Sequence, residues 1–159
     1  MVSTISFIQA NMQYTIADSR IFTRAVGTKQ IDMALIQEPC YREDCIRGLN
    51  IPGYALYSAG GKDKPRACSL ASNMNIWVLP GFICNDLVPV LVKYTEDWTE
   101  RWLVACSTYL PYDSEDPPPL RELEELVRHC ENENLYLIVG CDSNALDTAW
   151  GSTNCNGRG

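Results

Sequence analysis

Four short segments of the sequence end strand-like runs with polar side chains that suit a reaction on phosphate esters. Asn11 closes the first, Glu38 the second, Tyr109 the third, and Asp142 with Asn144 the fourth. Groups at the carboxyl ends of strands in an α/β sheet meet at one rim, where ligands bind. Carboxylate and amide oxygens suit Mg²⁺, which favours hard oxygen ligands. A second carboxylate nearby can orient or deprotonate a water, and attack on phosphorus needs little beyond such positioning and charge neutralisation.

Each of these residues alone has a more ordinary interpretation. An Asp or Glu at a strand end is most often a helix cap or a turn residue. Asn11 alone could form an Asx turn, and Tyr109 alone is more often a half-buried packing residue with a hydrogen-bonded hydroxyl. The ordered set of four segments, rather than any one of them, indicates a metal-dependent site.

The elements that would position these residues have the spacing of an α/β protein. Strands are predicted over 4–11 and 31–37, and Thr15 to Asp18 resembles a capping box that opens a helix running to Gly27. The apolar face of that helix is predicted to hold Ala17, Ile21, Phe22, Ala25 and Val26. Strand, helix and strand within this length are typical of an α/β unit.

The remaining elements continue this organisation to the last candidate residues. Strands are predicted over 53–59, 66–72, 75–79, 86–94 and 101–110, with a hairpin connection at 95–100. A proline- and acid-rich connector leads to a second helix with an apolar face of Leu120, Leu123, Leu126, Val127 and Cys130. The last buried strand is predicted over 135–141.

Composition and charge narrow the class of protein. The chain carries 13 Lys and Arg against 20 Asp and Glu, a formal charge of −7, which argues against wrapping a nucleic-acid backbone over its whole surface. A metal-dependent nuclease remains compatible, because such a site needs clustered carboxylates and the metal supplies positive charge. The eight cysteines include no Cys-x-x-Cys pair, so we expect them to be reduced and a zinc site to be absent. With no secretory signal and no membrane-spanning run, a nuclear or cytoplasmic protein that is not secreted is expected.

Together the segments resemble the endonuclease/exonuclease/phosphatase superfamily, and more narrowly the N-terminal endonuclease domain of non-LTR retrotransposon polyproteins. The resemblance lies in IQAN (8–11), IQEP (36–39), STYLP (107–111), GCDSN (140–144), WGS (150–152) and NGRG (156–159). It implies an α/β sandwich of two packed sheets flanked by helices, with residues 1–159 forming one domain that is incomplete at its C-terminal end.

The resemblance also implies a role for each candidate residue. Glu38 would be the principal metal carboxylate, with Asn11 beside it as a ligand or a hydrogen-bond partner. Tyr109 would support the phosphate or the catalytic carboxylate. Asp142 would orient and activate the attacking water, and Asn144 would bind the scissile phosphate or its transition state. The cofactor would be Mg²⁺, or Mn²⁺ in its place.

The partners implied are DNA as the phosphodiester substrate and, if the reading frame continues, a reverse transcriptase in cis; no membrane is implied. Trp150 is expected to be a packing anchor rather than a DNA contact. Arg158 could reach a phosphate, although a mobile terminal arginine is the simpler expectation.

One departure from the family pattern predicts an inactive chain. The family closes its site with a late Asp and a Ser-Asp-His segment, and neither follows Asn144. The single histidine, His129, lies on the helix before that strand, where a solvated or dipole-facing role fits better than catalysis. Losing a group that contacts the transition state costs on the order of 3 kcal/mol or more. The chain alone is therefore expected to be nearly or wholly inactive, and its open sheet edges to make it marginally stable or aggregation-prone.

Two alternatives to a DNA endonuclease stay open. One is a phosphoesterase that acts on small phosphate esters such as inositol phosphates. The other is a degenerate domain without catalysis, which persists as an interaction module or a vestigial product.

Overall fold

Two four-stranded sheets pack face to face, and each has one helix on its outer side. The computed structural model describes residues 4–158. The first sheet contains, in spatial order, β1 (Phe7–Asn11), β2 (Met33–Gln37), β6 (Ala67–Ser72) and β5 (Tyr54–Ser58). The second contains β10 (Tyr136–Asp142), β9 (Thr99–Tyr109), β8 (Leu87–Glu96) and β7 (Ile76–Val78). The predicted α/β sandwich of two packed sheets flanked by helices is confirmed.

The strand directions bring particular strand ends to one rim. β1 pairs with β2 and β10 pairs with β9 in parallel, whereas β6 runs antiparallel to β2 and β8 antiparallel to β9. The carboxyl ends of β1, β2, β9 and β10 therefore lie beside the amino ends of β6 and β8. A small antiparallel hairpin of β3 (Tyr41–Arg42) and β4 (Cys45–Ile46), which the sequence did not predict, follows β2.

The first helix, α1 (Ile16–Lys29), begins as its capping signal predicts. The Thr15 hydroxyl oxygen accepts a hydrogen bond from the Asp18 N–H at 3.1 Å, which satisfies one of the amides left free at a helix start. The helix continues past the predicted end at Gly27 and stops where Gln30 adopts a left-handed conformation with φ of 51°.

The predicted apolar face of α1 is partly wrong. Phe22 and Val26 are buried, but Ile21 is 69% exposed. Ser19 is buried instead because it lies against Gly48, where an added Cβ would come within 2.8 Å of the Ser19 Cβ. The helix is thus rotated toward a closely packed loop, which an apolar periodicity does not reveal.

The second helix, α2 (Arg121–Asn132), follows the predicted pattern more closely. Leu126 and Cys130 are buried against the second sheet, and Leu123 packs beside them. The charged outer face carries the i,i+4 pairs Arg121–Glu125 and Arg128–Glu124. A short 3₁₀ turn, Thr148–Trp150, lies near the C-terminal end of the described chain. Neither described helix has the length and apolar character that crossing a bilayer requires.

Alternation along the strands divides the buried residues into three clusters. Ala34 and Ile36 of β2 face α1, while Met33 and Leu35 face the second sheet, as the two-residue period of a strand requires. A third cluster lies between the second sheet and α2. The eight cysteines are free, and four of them are buried: Cys40, Cys68, Cys106 and Cys130.

The strand predicted as the last buried one lies at a sheet edge instead. Within residues 4–158, β10 has a neighbour on one side only, and Tyr136, Ile138 and Val139 are 62%, 39% and 38% exposed. An apolar run of this length predicts a strand correctly but says nothing about what covers it. The exposed apolar side chains at this edge are consistent with the uncovered surface that the sequence analysis expects.

The two sheets approach closely at Gly140 of β10. A Cβ built there would lie 2.7 Å from the Cβ of Leu35 on β2 and 2.9 Å from its Cδ1. Real side-chain carbons do not approach so closely, so this position has room for hydrogen only. Gly140 therefore sets the spacing of the sheets just before the rim that carries Asp142.

Replacing Gly140 by Ala is expected to lower the free energy of unfolding by ~1–3 kcal/mol, because the methyl group would force the packed sheets to shift. Urea denaturation measures the change. Gly81→Ala is the matched control, since a Cβ built at Gly81 has no atom within 4 Å. Equal stability of the two variants would contradict the close approach at Gly140.

Candidate functional site

All five candidate residues lie at one rim of the sandwich, at the open end of the gap between the sheets. Asn11 is the last residue of β1 and pairs in register with Gln37, which Glu38 follows. Asp142 is the last residue of β10 and pairs in register with Tyr109, the last residue of β9. The four strand ends that the sequence singles out are therefore neighbours in space.

The Asp142 carboxylate is held by a hydrogen bond on each oxygen. Asn11 donates from Nδ2 to Oδ2 at 2.6 Å, across the gap between the sheets. The Asn144 backbone N–H donates to Oδ1 at 3.0 Å. The Asn11 Oδ1 in turn accepts from the Gln13 N–H at 2.7 Å. These contacts give Asn11 a clear role as a hydrogen-bond partner of Asp142, and fix the direction in which the carboxylate points.

Glu38 lies in a tight turn after β2 and adopts the left-handed conformation with φ of 49°. Its N–H donates to the Arg66 carbonyl at 2.8 Å, and its carbonyl accepts from the Tyr14 N–H at 2.8 Å. Positive φ is uncommon for a residue with a long side chain and persists only where surrounding contacts impose it. The turn therefore holds the half-buried Glu38 side chain in place through its backbone.

The surroundings of the Tyr109 hydroxyl raise its pKa. Burial raises the pKa of Tyr109, and the charges of Glu38 and Asp142 raise it further, while a hydrogen bond with the Asn144 side chain lowers it. Glu38 and Asp142 are thus both close enough to the Tyr109 hydroxyl to affect its pKa. The Asn144 amide also donates to the Leu110 carbonyl at 2.9 Å, so this side chain already has protein partners.

A buried polar network joins the two sheets directly beneath the site. The Gln37 side chain is fully buried and donates from Nε2 to the Ser107 Oγ at 2.9 Å and to the Gly140 carbonyl at 3.0 Å. The Ser107 hydroxyl donates to the Ile36 carbonyl at 2.8 Å. Gln9 spans the same gap, donating to the Cys141 carbonyl at 2.7 Å. A buried amide left unpaired would cost ~1–3 kcal/mol, so these bonds fix the register of one sheet on the other.

Three further residues at this rim were not identified from the sequence. Arg66 and Asp86 stand directly before β6 and β8, and the Arg66 guanidinium lies 5.2 Å from the centre of the Tyr109 ring. Tyr14 lies on the Glu38 side, with the Lys64 ammonium 3.0 Å from its ring centre. The sequence does show that Arg66 and Asp86 carry opposite charges and stand at the starts of two predicted strands. It does not show that both starts lie at the rim, because that depends on the direction of each strand in its sheet.

The C-terminal residues brace the loop that carries Asn144. The Asn156 Nδ2 donates to the Asn144 carbonyl at 2.7 Å. The Arg158 guanidinium donates to the carbonyls of Leu110 at 3.0 Å and Ser143 at 3.2 Å, and to that of Pro111. The expectation of a mobile terminal arginine is therefore wrong, because these carbonyls fix the side chain. The side chain of Trp150 and the residue Gly159 lie outside the described part of the chain.

His129 packs away from these contacts. It lies on α2, with its ring 5.1 Å from the ring of Phe82 between centres. Its place in the last turn of α2 agrees with the dipole-facing role expected from the sequence, and the half-buried ring also packs against Phe82.

The carboxylate and amide oxygens at the rim suit Mg²⁺ better than a metal that must be surrounded by protein ligands. Within residues 4–158 there is no group of three or more His, Cys, Asp or Glu side chains that could hold a metal ion. Mg²⁺ keeps several waters and is commonly held by one or two carboxylates together with substrate phosphates. The described hydrogen bonds of Glu38 are made by its backbone, which leaves its carboxylate oxygens for such a role.

Comparison with solved structures identifies the fold. The architecture is that of the endonuclease/exonuclease/phosphatase proteins: one from Leptotrichia buccalis covers 94% of this chain with a TM-score of 0.54 at 14% identity, and 69% of that chain is covered. The endonuclease domain of TRAS1, a telomere-specific non-LTR retrotransposon, covers 98% of this chain with a TM-score of 0.69 at 25% identity. TDP2 of D. rerio, complexed with a single-strand DNA product, covers 90% with a TM-score of 0.53 at 14% identity, over 62% of its own chain.

The likeness extends over only part of these relatives. This chain spans 66% of the length of the TRAS1 domain. No family model matches the sequence, and no curated protein matches it at a significant level.

The burial of Tyr14 predicts a specific pH dependence. Burial and the nearby Glu38 charge raise the pKa of Tyr14 from 10.0 to about 12. The folded chain thus keeps this proton more strongly than the unfolded chain, so the contribution of Tyr14 to stability is present below pH 10.0 and is lost as the pH rises toward 12. Subtracting the tyrosinate absorbance of Tyr14→Phe from that of the parent chain should isolate an ionisation near pH 12. An ionisation at the ordinary value would contradict the burial of this phenol.

Proposed function

We propose that this chain carries part of the active site of a metal-dependent phosphodiesterase, of the type that nicks DNA in non-LTR retrotransposons. The observation that carries the proposal is that the strand ends bearing Glu38, Tyr109 and Asp142 meet at one rim, with Asn11 hydrogen-bonded to Asp142. Two carboxylates beside a phenol and two amides make a site for a hard cation, a water and a phosphate ester. We further propose that residues 1–159 belong to a single domain of this kind.

Each side chain has a task that follows from its contacts. Glu38 would hold Mg²⁺, or Mn²⁺, with Asn11 beside it, and the bound ion would supply positive charge against the phosphate. Asp142 would orient and deprotonate the attacking water, because Asn11 and the Asn144 N–H fix both of its oxygens. Tyr109 stays protonated and would donate to a phosphate oxygen. Asn144 would bind the scissile phosphate or its transition state, its side-chain amide exchanging the Leu110 carbonyl for a phosphate oxygen.

DNA is the substrate class that the relatives favour. TRAS1 is described as an endonuclease domain, and the TDP2 structure contains a single-strand DNA product. The net charge of this chain is negative, so the contact with a polyanion would be confined to the metal-bearing rim. A reverse transcriptase in cis is part of the same proposal: the coding sequence beyond the Gly159 codon should continue in frame to a Ser-Asp-His segment and a polymerase.

Titration of the chain with Mg²⁺ by calorimetry tests the metal site. We expect the parent chain to bind, and Glu38→Gln to lose measurable binding, because the carboxylate charge is removed while the shape is kept. Glu131→Gln is the matched control: it is the same change on an exposed residue of the last turn of α2, at the end of the sandwich away from the rim. Equal affinity in all three proteins would favour the degenerate, non-catalytic alternative.

The chain alone is expected to leave supercoiled plasmid DNA almost uncut in Mg²⁺, because the proposal assigns part of the transition-state stabilisation to groups that are not among these residues. Gel electrophoresis of the plasmid measures the conversion to nicked circles. Efficient nicking that disappears in Glu38→Gln would show that these residues suffice. Hydrolysis of inositol phosphates, with plasmid left intact, would instead support the alternative of a small-ester phosphoesterase.

A further inference from the structure

The Arg66–Asp86 ion pair joins the two sheets at the rim. Arg66 precedes β6 of the first sheet, and Asp86 precedes β8 of the second. The guanidinium donates from Nε to Oδ1 at 2.5 Å and from Nη2 to Oδ2 at 2.6 Å. This paired arrangement fixes both the distance and the angle between the two groups, which a single hydrogen bond does not. The Asp86 side chain is only 14% exposed, so solvent screens the pair weakly.

Each partner of the pair also holds the backbone of one candidate site residue. The Arg66 carbonyl accepts the Glu38 N–H at 2.8 Å. The Asp86 carbonyl accepts the Tyr109 N–H at 2.9 Å and the Thr108 hydroxyl at 3.0 Å. The ion pair therefore links the turn that presents Glu38 to the strand end that presents Tyr109, beside the backbone bonds of the Arg66 and Ala67 N–H groups to the Asn85 carbonyl.

The guanidinium makes a third contact with the site. It lies 5.2 Å from the centre of the Tyr109 ring, within the range of a cation–π interaction. Two of its five donors, on Nε and Nη2, bind the oxygens of Asp86, and these bonds hold the group against the ring.

From these contacts we infer that Arg66 and Asp86 are positioning residues, which set the separation of Glu38 and Tyr109 and so tune the affinity of the site for a divalent cation. The inference rests on the proposed function, because it assigns the metal to Glu38. Neither residue is assigned a contact with substrate. Arg66 acts on Glu38 and Tyr109, and Asp86 acts through Arg66 and through the backbone of β9.

The test replaces the planar guanidinium of Arg66 by the compact ammonium group of lysine. Arg66→Lys keeps the positive charge but cannot make the paired contact with Asp86 or stack as a plane on Tyr109. Arg101→Lys is the matched control, since Arg101 pairs with Glu96 at the opposite end of β8 and β9. Two measurements are made on each variant: amide NMR shifts of Glu38 and Tyr109, and Mg²⁺ affinity by calorimetry.

In Arg66→Lys we expect the amide signals of Glu38 and Tyr109 to move and Mg²⁺ affinity to fall about 10-fold, a size typical of losing a residue that orients a metal ligand. Arg101→Lys should change neither. Unmoved signals with parental affinity in Arg66→Lys would overturn the inference. If the parent chain binds no Mg²⁺ but the signals still move, the proposed function fails while the positioning of Glu38 and Tyr109 stands.

A second variant separates positioning from a requirement for folding. Asp86→Asn keeps the size and one acceptor oxygen but removes the charge that pairs with Arg66. We expect it to remain folded, with the same two amide signals displaced and Mg²⁺ affinity reduced. If both Arg66→Lys and Asp86→Asn unfold in urea-free buffer, the pair is a structural element of the sandwich and the positioning inference is wrong.

Discussion

The site depends on the hydrogen bonds of one buried amide, that of Gln37. Its Nε2 donates to Ser107 and Gly140, which lie on two strands of the opposite sheet. Apolar packing between sheets is non-directional and tolerates sliding, whereas two directed bonds from a fully buried group do not. Since Glu38 follows Gln37 and Asp142 lies two residues beyond Gly140, the network sets how the two carboxylates are placed across the gap.

The residues beneath the site are small where the sheets must approach. Gly140 has room for hydrogen only beside Leu35, and the neighbouring Ser107 is compact enough to accept from Gln37 while donating to Ile36. Larger residues at these two positions would separate the sheets. The separation would break the contact of Asn11 with Asp142, which is the one described side-chain bond that crosses the gap between the candidate residues themselves. Gly140 and Ser107 therefore affect the candidate residues through the spacing of the sheets, although neither is a candidate residue itself.

The sequence predicted well what depends on local chemistry. The Thr15 cap, the strand cores and the two helices follow from residue types within a few positions. Asn11, Glu38, Tyr109 and Asp142 were singled out because each stands at the end of a predicted strand, and the structure brings these strand ends together. The sequence predicted poorly what depends on neighbours distant in the chain. Ile21 was assigned to the buried face because the packing of Ser19 on Gly48 could not be foreseen. The strand β10 was predicted as buried, whereas it lies at a sheet edge with three apolar side chains exposed, because its neighbours depend on strand order.

Arg66 and Asp86 show this limit most clearly. Both stand at strand starts, where a charged residue ordinarily marks nothing more than the end of a loop. Their meeting depends on β6 and β8 lying in different sheets and both running antiparallel to a site-bearing strand. Strand order is a property of the whole fold, so the pair becomes visible only once the sheets are assembled.

The local charge of the rim bears on the proposed role of a divalent cation. The contacts described there involve the carboxylates of Glu38, Asp86 and Asp142 and the cations of Lys64 and Arg66. Arg66 is paired with Asp86 and the Arg158 guanidinium is bound to backbone carbonyls, so a phosphodiester approaching Glu38 and Asp142 meets two carboxylates. A cation bound at Glu38 would offset this negative charge and so raise the affinity for the phosphodiester. By thermodynamic linkage, the bound phosphodiester would then raise the affinity for the cation by the same factor. Such a site would hold metal and DNA tightly together and each weakly alone.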